Sequence, residues 1–263
     1  MFIKKSGKLL LVILLLLAGQ SFACVCIPPK FTEKFTQSDF VAEAKIIKVY
    51  ANEGEEEIYR ADILIKNLFK GEKLTSIYIE GRSDGKKGSS CSIFIEHNTE
   101  LIIYARKKTS SLFSFGSCSG YLILNKEGTN PKQTQERELE MLNLLKEKEV
   151  NFTSRIWFAK KMGFSNELEK FKGVRLYKGY ALYELIFTSN VSVKSIKLIR
   201  GFENQIDNEL IEILKKADWL SVDMKSEYLT IRDHVPEDSK LLVAFYFYPG
   251  QKEEKSFISE YDL

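Results

Sequence analysis

Residues 24–50 read CVCIPPKFTEKFTQSDFVAEAKIIKVY, and the reading of this stretch decides the fold. Its second part alternates. Phe40, Ala42, Ala44 and Ile46 fall on one face and Val41, Glu43, Lys45 and Ile47 on the other, the period of a strand with one face in a core. Its first part sets Cys24 and Cys26 in a C-x-C pattern and follows them with Ile27, Pro28 and Pro29. Lys30 to Asp39, between the two parts, reads as a short polar segment.

Upstream, Lys4, Lys5 and Lys8 form a charged start, Leu9 to Ala18 is apolar but short for a bilayer, and Ser21-Phe22-Ala23 is a small-x-small cleavage site. Residues 1–23 therefore read as a signal peptide. Cys24 becomes the first residue of an exported chain, periplasmic or extracellular, with no membrane span after cleavage. Lipoprotein processing also cuts before a cysteine and acylates it. Ser21 stands where that signal usually has Leu, and acylation would leave an odd number of thiols, so the soluble form is the reading and a lipid anchor at Cys24 its alternative.

Of 263 residues, 44% are hydrophobic and 29% charged, a globular composition. Without the leader lysines the 39 basic residues become 36, equal to the 36 acidic ones, so there is no electrostatic case for nucleic acid or an anionic membrane. Asn52-Glu53-Gly54 marks a turn, and the acidic run Glu53 to Glu57 reads as a solvated hairpin tip. Strands are expected at Ile58 to Phe69, Ser76 to Glu80, Glu100 to Arg106 and Leu112 to Phe115. With the first strand they make five, which suggests a small closed barrel. Pro131 to Glu149 reads as a helix through Leu139, Leu142 and Leu145.

Beyond this the character changes. Thr153 to Phe171 reads as an amphipathic helical linker broken at Gly163. Gly179 to Thr188 and Val191 to Arg200 read as strands, and Asp207 to Ala217 as a helix that Asp207 can cap. Leu241 to Tyr248 reads as a last strand, apolar on both faces and so buried. The expected fold is thus β plus α+β. A barrel domain with a helix spans 24–149, a helical linker 150–176, and a small ββαβ domain 177–263.

The chain has four cysteines, Cys24, Cys26, Cys91 and Cys118, an even count that suits two bridges in an oxidising compartment. Three connectivities are open. Pairing Cys24 with Cys26 would need a strained small ring, which leaves the two crossed options. An enzyme is not expected. His97 and His234 have no partner at metal-ligand spacing, and His97 reads as a turn residue. Gly81 to Lys86 has three residues between its glycines where a phosphate loop needs four. No cofactor is expected.

These residues carry a resemblance. The C-x-C start, the Pro28-Pro29 pair, Phe35 with Ser38-Asp39 and the strand Val41-Ala42-Glu43-Ala44-Lys45 resemble the start of tissue inhibitors of metalloproteinases, within the wider netrin-like family. Cys91, His97-Asn98, the Leu101 to Ala105 strand and Cys118 follow in the same order, so the likeness covers about 24–149. It implies an OB-type barrel and the pairings Cys24–Cys91 and Cys26–Cys118. Each would close a long loop, worth roughly 4 kcal/mol in the loop-entropy account. It also implies a metalloendopeptidase inhibitor. The α-amine and carbonyl of Cys24 would chelate the zinc of the partner protease, the only metal in question. Val25 would enter the specificity pocket, Cys26, Ile27, Pro28 and Pro29 would continue the wedge, and Ser90, Cys91 and Ser92 would flank it. Thr36 stands where the family has a further cysteine, and the family's cysteine-rich second domain is replaced.

The replacement has its own likeness. The strand ending Arg200-Gly201, Asp207-x-Glu209, the amphipathic helix and Trp219 are similar to the C-terminal domain of TonB-type transducers, over about 177–248. This implies a periplasmic α+β module in a Gram-negative bacterium, with an edge strand that could pair with an envelope protein. The alternative function is accordingly a non-inhibitory envelope interaction module.

Overall fold

The computed structural model describes residues 29–52, 56–86, 88–109, 112–124, 132–152, 156–202, 205–223, 230–251 and 254–263. Helix α1 (Phe31–Gln37) comes first and is followed by β1 (Phe40–Val49), β2 (Ile58–Lys70), β3 (Ser76–Glu80), β4 (Glu100–Lys107), β5 (Phe113–Phe115) and β6 (Leu122–Ile123). The strands run β1-β2-β3-β5-β4-β6, and β1 also pairs with β4. That extra pairing closes five strands into a barrel of OB type, with β3 parallel to β5 and the other pairs antiparallel. Closure bends the long strands. The β1–β2 ladder shifts register at Val41/Ala42, Glu43/Ala44 and Ile46/Lys48, the bulges by which a strand coils round a small barrel.

The period-two reading of β1 holds. Phe40, Ala42, Ala44 and Ile46 line the barrel interior with Tyr59, Ala61, Ile63, Ile77, Ile79, Leu101 and Ile103. The opposite face is apolar too. Val41, Phe69, Ile102 and Tyr104 meet Phe31 and Phe35 of α1 and Met141, Leu142 and Leu145 of α2 (Lys132–Glu147). The segment Lys30 to Asp39 is therefore not merely polar. Phe31 and Phe35 are one helical turn apart and both buried, and the Lys30 amide donates to Glu33 Oε2 at 3.0 Å, starting the helix.

Residues 150–176 depart from the expected helical linker. They hold β7 (Trp157–Lys160), the short helix α3 (Ser165–Leu168) and a 3-10 turn, Glu169–Phe171. Trp157 and Phe158 favour strand, and Phe158 stacks on Phe187 with ring centroids 4.3 Å apart. β7 pairs with β10 (Trp219–Asp223), which pairs with β11 (Thr230–Arg232). The other C-terminal sheet has the order β13-β12-β8-β9, from β8 (Tyr180–Phe187), β9 (Val193–Arg200), β12 (Ser239–Tyr248) and β13 (Phe257–Ser259). β12 is thus not the last strand. Helix α4 (Gln205–Lys216) lies between β9 and β10. Asp207 sits inside its first turn and not at the cap. Its Oδ1 accepts from the Phe202 amide at 2.9 Å and from the Tyr183 hydroxyl at 3.0 Å.

The sheet of β8 and β12 explains why its strands are apolar on both faces. Ala181, Tyr183, Leu185, Val243, Phe245 and Phe247 face a core with Leu210 and Leu214 of α4. Tyr180, Leu182, Leu242, Ala244 and Tyr246 face the other way, into the layer formed by α1, α2 and the outside of the barrel. The two halves therefore share a core. Ion pairs cross the same boundary: Arg137 with Asp262, Arg200 with Glu140, and Lys30 with Glu260 at 2.6 Å.

Candidate functional site

The parallel pairing of β3 and β5 sets the site. Tyr78 lies opposite Ser114 and Ile79 opposite Phe115, so both strands end at one rim of the barrel. From β3 the chain enters the loop that carries Cys91. From β5 it passes Gly116 into the 3-10 turn Ser117–Ser119, which carries Cys118. Cys91 and Cys118 are each disulfide-bonded.

The Cys91 loop is knitted to the hairpin between β1 and β2. The Asn52 amide group donates to the carbonyls of Gly81 at 2.9 Å and Ile58 at 3.1 Å, and its Oδ1 accepts from the Ser83 amide at 2.9 Å. The Glu57 carboxylate accepts from the Ser89 amide at 2.8 Å, and the Ser89 hydroxyl and amide hold its pKa below the usual carboxylate value. Glu57 is thus a structural acceptor where a solvated tip was expected, while Glu53 to Glu55 lie outside the described residues. Arg82 grips Asp84 through two bonds, 3.0 and 2.7 Å, which lowers the Asp84 carboxyl to about 2. The loop then doubles back on Gly81, where an added β-carbon would come 1.9 Å from the Ile93 carbonyl oxygen. Ser90-Cys91-Ser92 is a tight turn closed by the Ser92 amide donating to the Ser89 carbonyl at 2.9 Å.

The other flank is the root of the N-terminal segment. Gly120, with φ +77, is needed for that backbone turn, and Pro29 Cγ lies 3.0 Å from where its β-carbon would stand. Pro29 therefore rests beside the Cys118 turn. Lys34 reinforces this: its Nζ donates to the Gly120 carbonyl at 3.3 Å and pairs with Glu138 at 2.6 Å. The Tyr104 hydroxyl donates to the same carboxylate at 2.8 Å. Burial, with the Glu138 carboxylate beside it, pushes the Tyr104 hydroxyl well above its ordinary pKa.

Of the residues singled out in the sequence, Pro29, Ser90, Cys91 and Ser92 are placed by the structure, on loops that leave the same rim as Cys118. Cys24, Val25, Cys26, Ile27 and Pro28, and with them the expected pairings to Cys91 and Cys118, lie outside the described residues. Residue 36, the threonine at the family's cysteine position, bonds its own helix, Oγ1 to the Thr32 carbonyl at 2.8 Å. His97 and His234 are exposed, and His97 occupies a turn whose Asn98 amide donates to the Ile46 carbonyl at 2.8 Å. Among the described residues no group of His, Cys, Asp or Glu is arranged to hold a metal ion. Asn52, Glu57, Lys34 and Glu138 were not legible as site-builders, because each acts on residues distant in sequence.

The family model described as tissue inhibitor of metalloproteinase matches residues 22–134. Over that range the barrel half is similar to this family. No curated protein matches the chain. The matched range covers the strands of the barrel, both cysteine-bearing loops and the root at Pro29. No helix among the described residues is long and apolar enough to cross a membrane.

Proposed function

We propose that the protein is exported, begins at Cys24 after removal of residues 1–23, and inhibits zinc metalloendopeptidases. The observation that carries this reading is the family match over 22–134 on a barrel whose Cys91 and Cys118 loops share one rim with Pro29. In this reading the Cys24 α-amine and carbonyl oxygen take two positions on the protease zinc and displace its water. An α-amine has a pKa of about 8, so it reaches the ligating form near neutral pH at little cost. Bridges from Cys24 to Cys91 and from Cys26 to Cys118 would present that amine at a fixed angle and reduce the entropy lost on docking. Val25 would enter the adjoining pocket. The chain would act by binding, with no cofactor of its own.

The test is inhibition of a panel of zinc endopeptidases by the chain starting at Cys24 and by a version carrying one extra alanine before it. The extended chain should lose at least about a hundredfold in affinity, since the amine becomes an amide that cannot ligate. The authentic chain should also bind about tenfold more weakly per pH unit once the pH falls below the amine pKa. Equal inhibition by both chains would overturn the reading.

A further inference from the structure

A cavity of about 330 Å³ lies between β7 and β12. β7 contributes Phe158, Ala159 and Lys160 to its wall, and β12 contributes every residue from Leu241 to Ala244. Successive side chains of a strand point to opposite faces, so an unbroken run lines a cavity only along the strand's edge. The pairing agrees. β7 pairs with β10, and β12 pairs with β8 on one side and with β13 on the other only at Tyr246 to Tyr248. Among the described residues, the cavity therefore separates two open strand edges.

The ladders fix which backbone groups face it. The Phe247 amide donates to the Gly179 carbonyl at 2.9 Å, in register with the β12–β8 ladder. Odd-numbered residues of β12 thus bond to β8, and even-numbered ones turn their N–H and C=O the other way. Tyr246 and Tyr248 turn theirs toward β13. Leu242 and Ala244 turn theirs toward the cavity, although both residues are buried. On β7 the Lys161 amide donates to the Asp218 carbonyl at 3.0 Å, which by the same alternation turns the backbone of Phe158 and Lys160 outward. Among the described residues no backbone hydrogen bond reaches these four from the open side. Alternate donors and acceptors at strand spacing, on residues this deep, are a template for an extended chain.

We propose that this slot binds a short, extended, uncharged apolar peptide, laid along Leu242 and Ala244 on the edge that β13 already covers further on. At about 3.3 Å per residue the Leu241 to Ala244 wall runs about 13 Å, room for roughly three to four residues. The volume falls in the ordinary range of small-ligand sites, about 300–1,000 Å³. Phe164, Trp219 and Leu242 supply apolar wall. Lys30 and Lys160 also line the cavity, but a carboxylate holds each ammonium at 2.6 Å, Glu260 the first and Glu167 the second. With these charges matched inside the protein, the walls select no ionic group. Amides at strand spacing with apolar side chains meet both demands. Most of the slot comes from the C-terminal half, and its ligand is independent of zinc-protease inhibition.

The probes are two capped tetrapeptides, acetyl-Val-Thr-Val-Thr-amide and acetyl-Thr-Val-Thr-Val-amide, which carry their apolar side chains on opposite faces. In calorimetry with the full chain, at least one should bind with a Kd below about 1 mM. Amide exchange at Leu242 and Ala244 should then slow at least about tenfold, while Val243, already bonded to β8, stays unchanged. Two further versions of the bound peptide are N-methylated at alternate residues. The one that blocks the edge toward β12 should bind at least about tenfold more weakly, since it cannot donate. Ala159 is exposed at the cavity wall, so Ala159→Trp should block binding without lowering the Tm. Recognition through the backbone tolerates many side chains, so failure of both peptides to bind overturns the proposal. Binding that leaves Leu242 and Ala244 exchanging as before, or that survives both N-methylations, overturns it as well.

Discussion

Tyr59, Tyr104, Tyr180 and Tyr246 are all almost wholly buried. Burial is the first cause of a raised hydroxyl pKa at each, to about 12 for Tyr59 and Tyr180 and well above 10 for the other two. A raised pKa means that the folded state holds protons the unfolded chain has given up. The stabilisation is complete below about pH 10 and falls as pH rises toward 12, at about 1.4 kcal/mol per pH unit for each such tyrosine. We expect urea midpoints to be flat from pH 8 to 9.5 and to drop steeply above 10, in step with tyrosinate absorbance. A flat profile to pH 11.5 would contradict this assignment. The tyrosines were legible as strand residues. Their partners were not: the Tyr104 hydroxyl needs Glu138 from a helix that follows three further segments, and no local pattern announces that pairing.

Among the elements, β1 was the most legible, because a half-buried strand writes its face into every second residue. Helix α1 was hidden by brevity. Its signal is only Phe31 and Phe35 at i, i+4 among polar neighbours. β7 was misread for the opposite reason: the amphipathic pattern there is real, but Trp157 and Phe158 are held as strand by β10, from far along the chain. Tertiary pairing overrode the local period. α1 is nonetheless the element on which the site hangs, since it begins two residues after Pro29 and carries Lys34. Phe35 is 1% exposed and packs against Phe31 and edge-on to Phe152. Phe35→Ala should cost about 3–5 kcal/mol by transfer and cavity terms together, read as a lowered denaturant midpoint with the same slope. A loss below 1 kcal/mol would show that α1 is not packed as described.

At the scale of the molecule, the boundary expected between residues 149 and 177 does not divide the hydrophobic interior. Tyr180, Leu182, Leu242, Ala244 and Tyr246 belong to the same cluster as Phe31, Ile102 and Leu142. The sequence changes character after the barrel half and therefore reads as two domains. It could not show that the outer face of one would be buried by the sheet of the other, since apolar residues on both faces of β12 fit any fully covered strand. We expect circular dichroism, tryptophan fluorescence and calorimetry to report a single transition. A chain ending at residue 176 should be insoluble or should melt without cooperativity. Two resolved transitions would argue for independent halves.

The alternation along β12 also bears on how such a chain can change over generations. Its odd-numbered residues answer to one interior and its even-numbered residues to another, so inserting a single residue would deliver each set to the wrong side. Recombination that separated the halves would leave both products with an unclothed apolar face. A barrel whose outer face was polar could be exchanged as a unit. In this chain it is bound by inheritance to its sheet, and the two must drift, lengthen or be lost together.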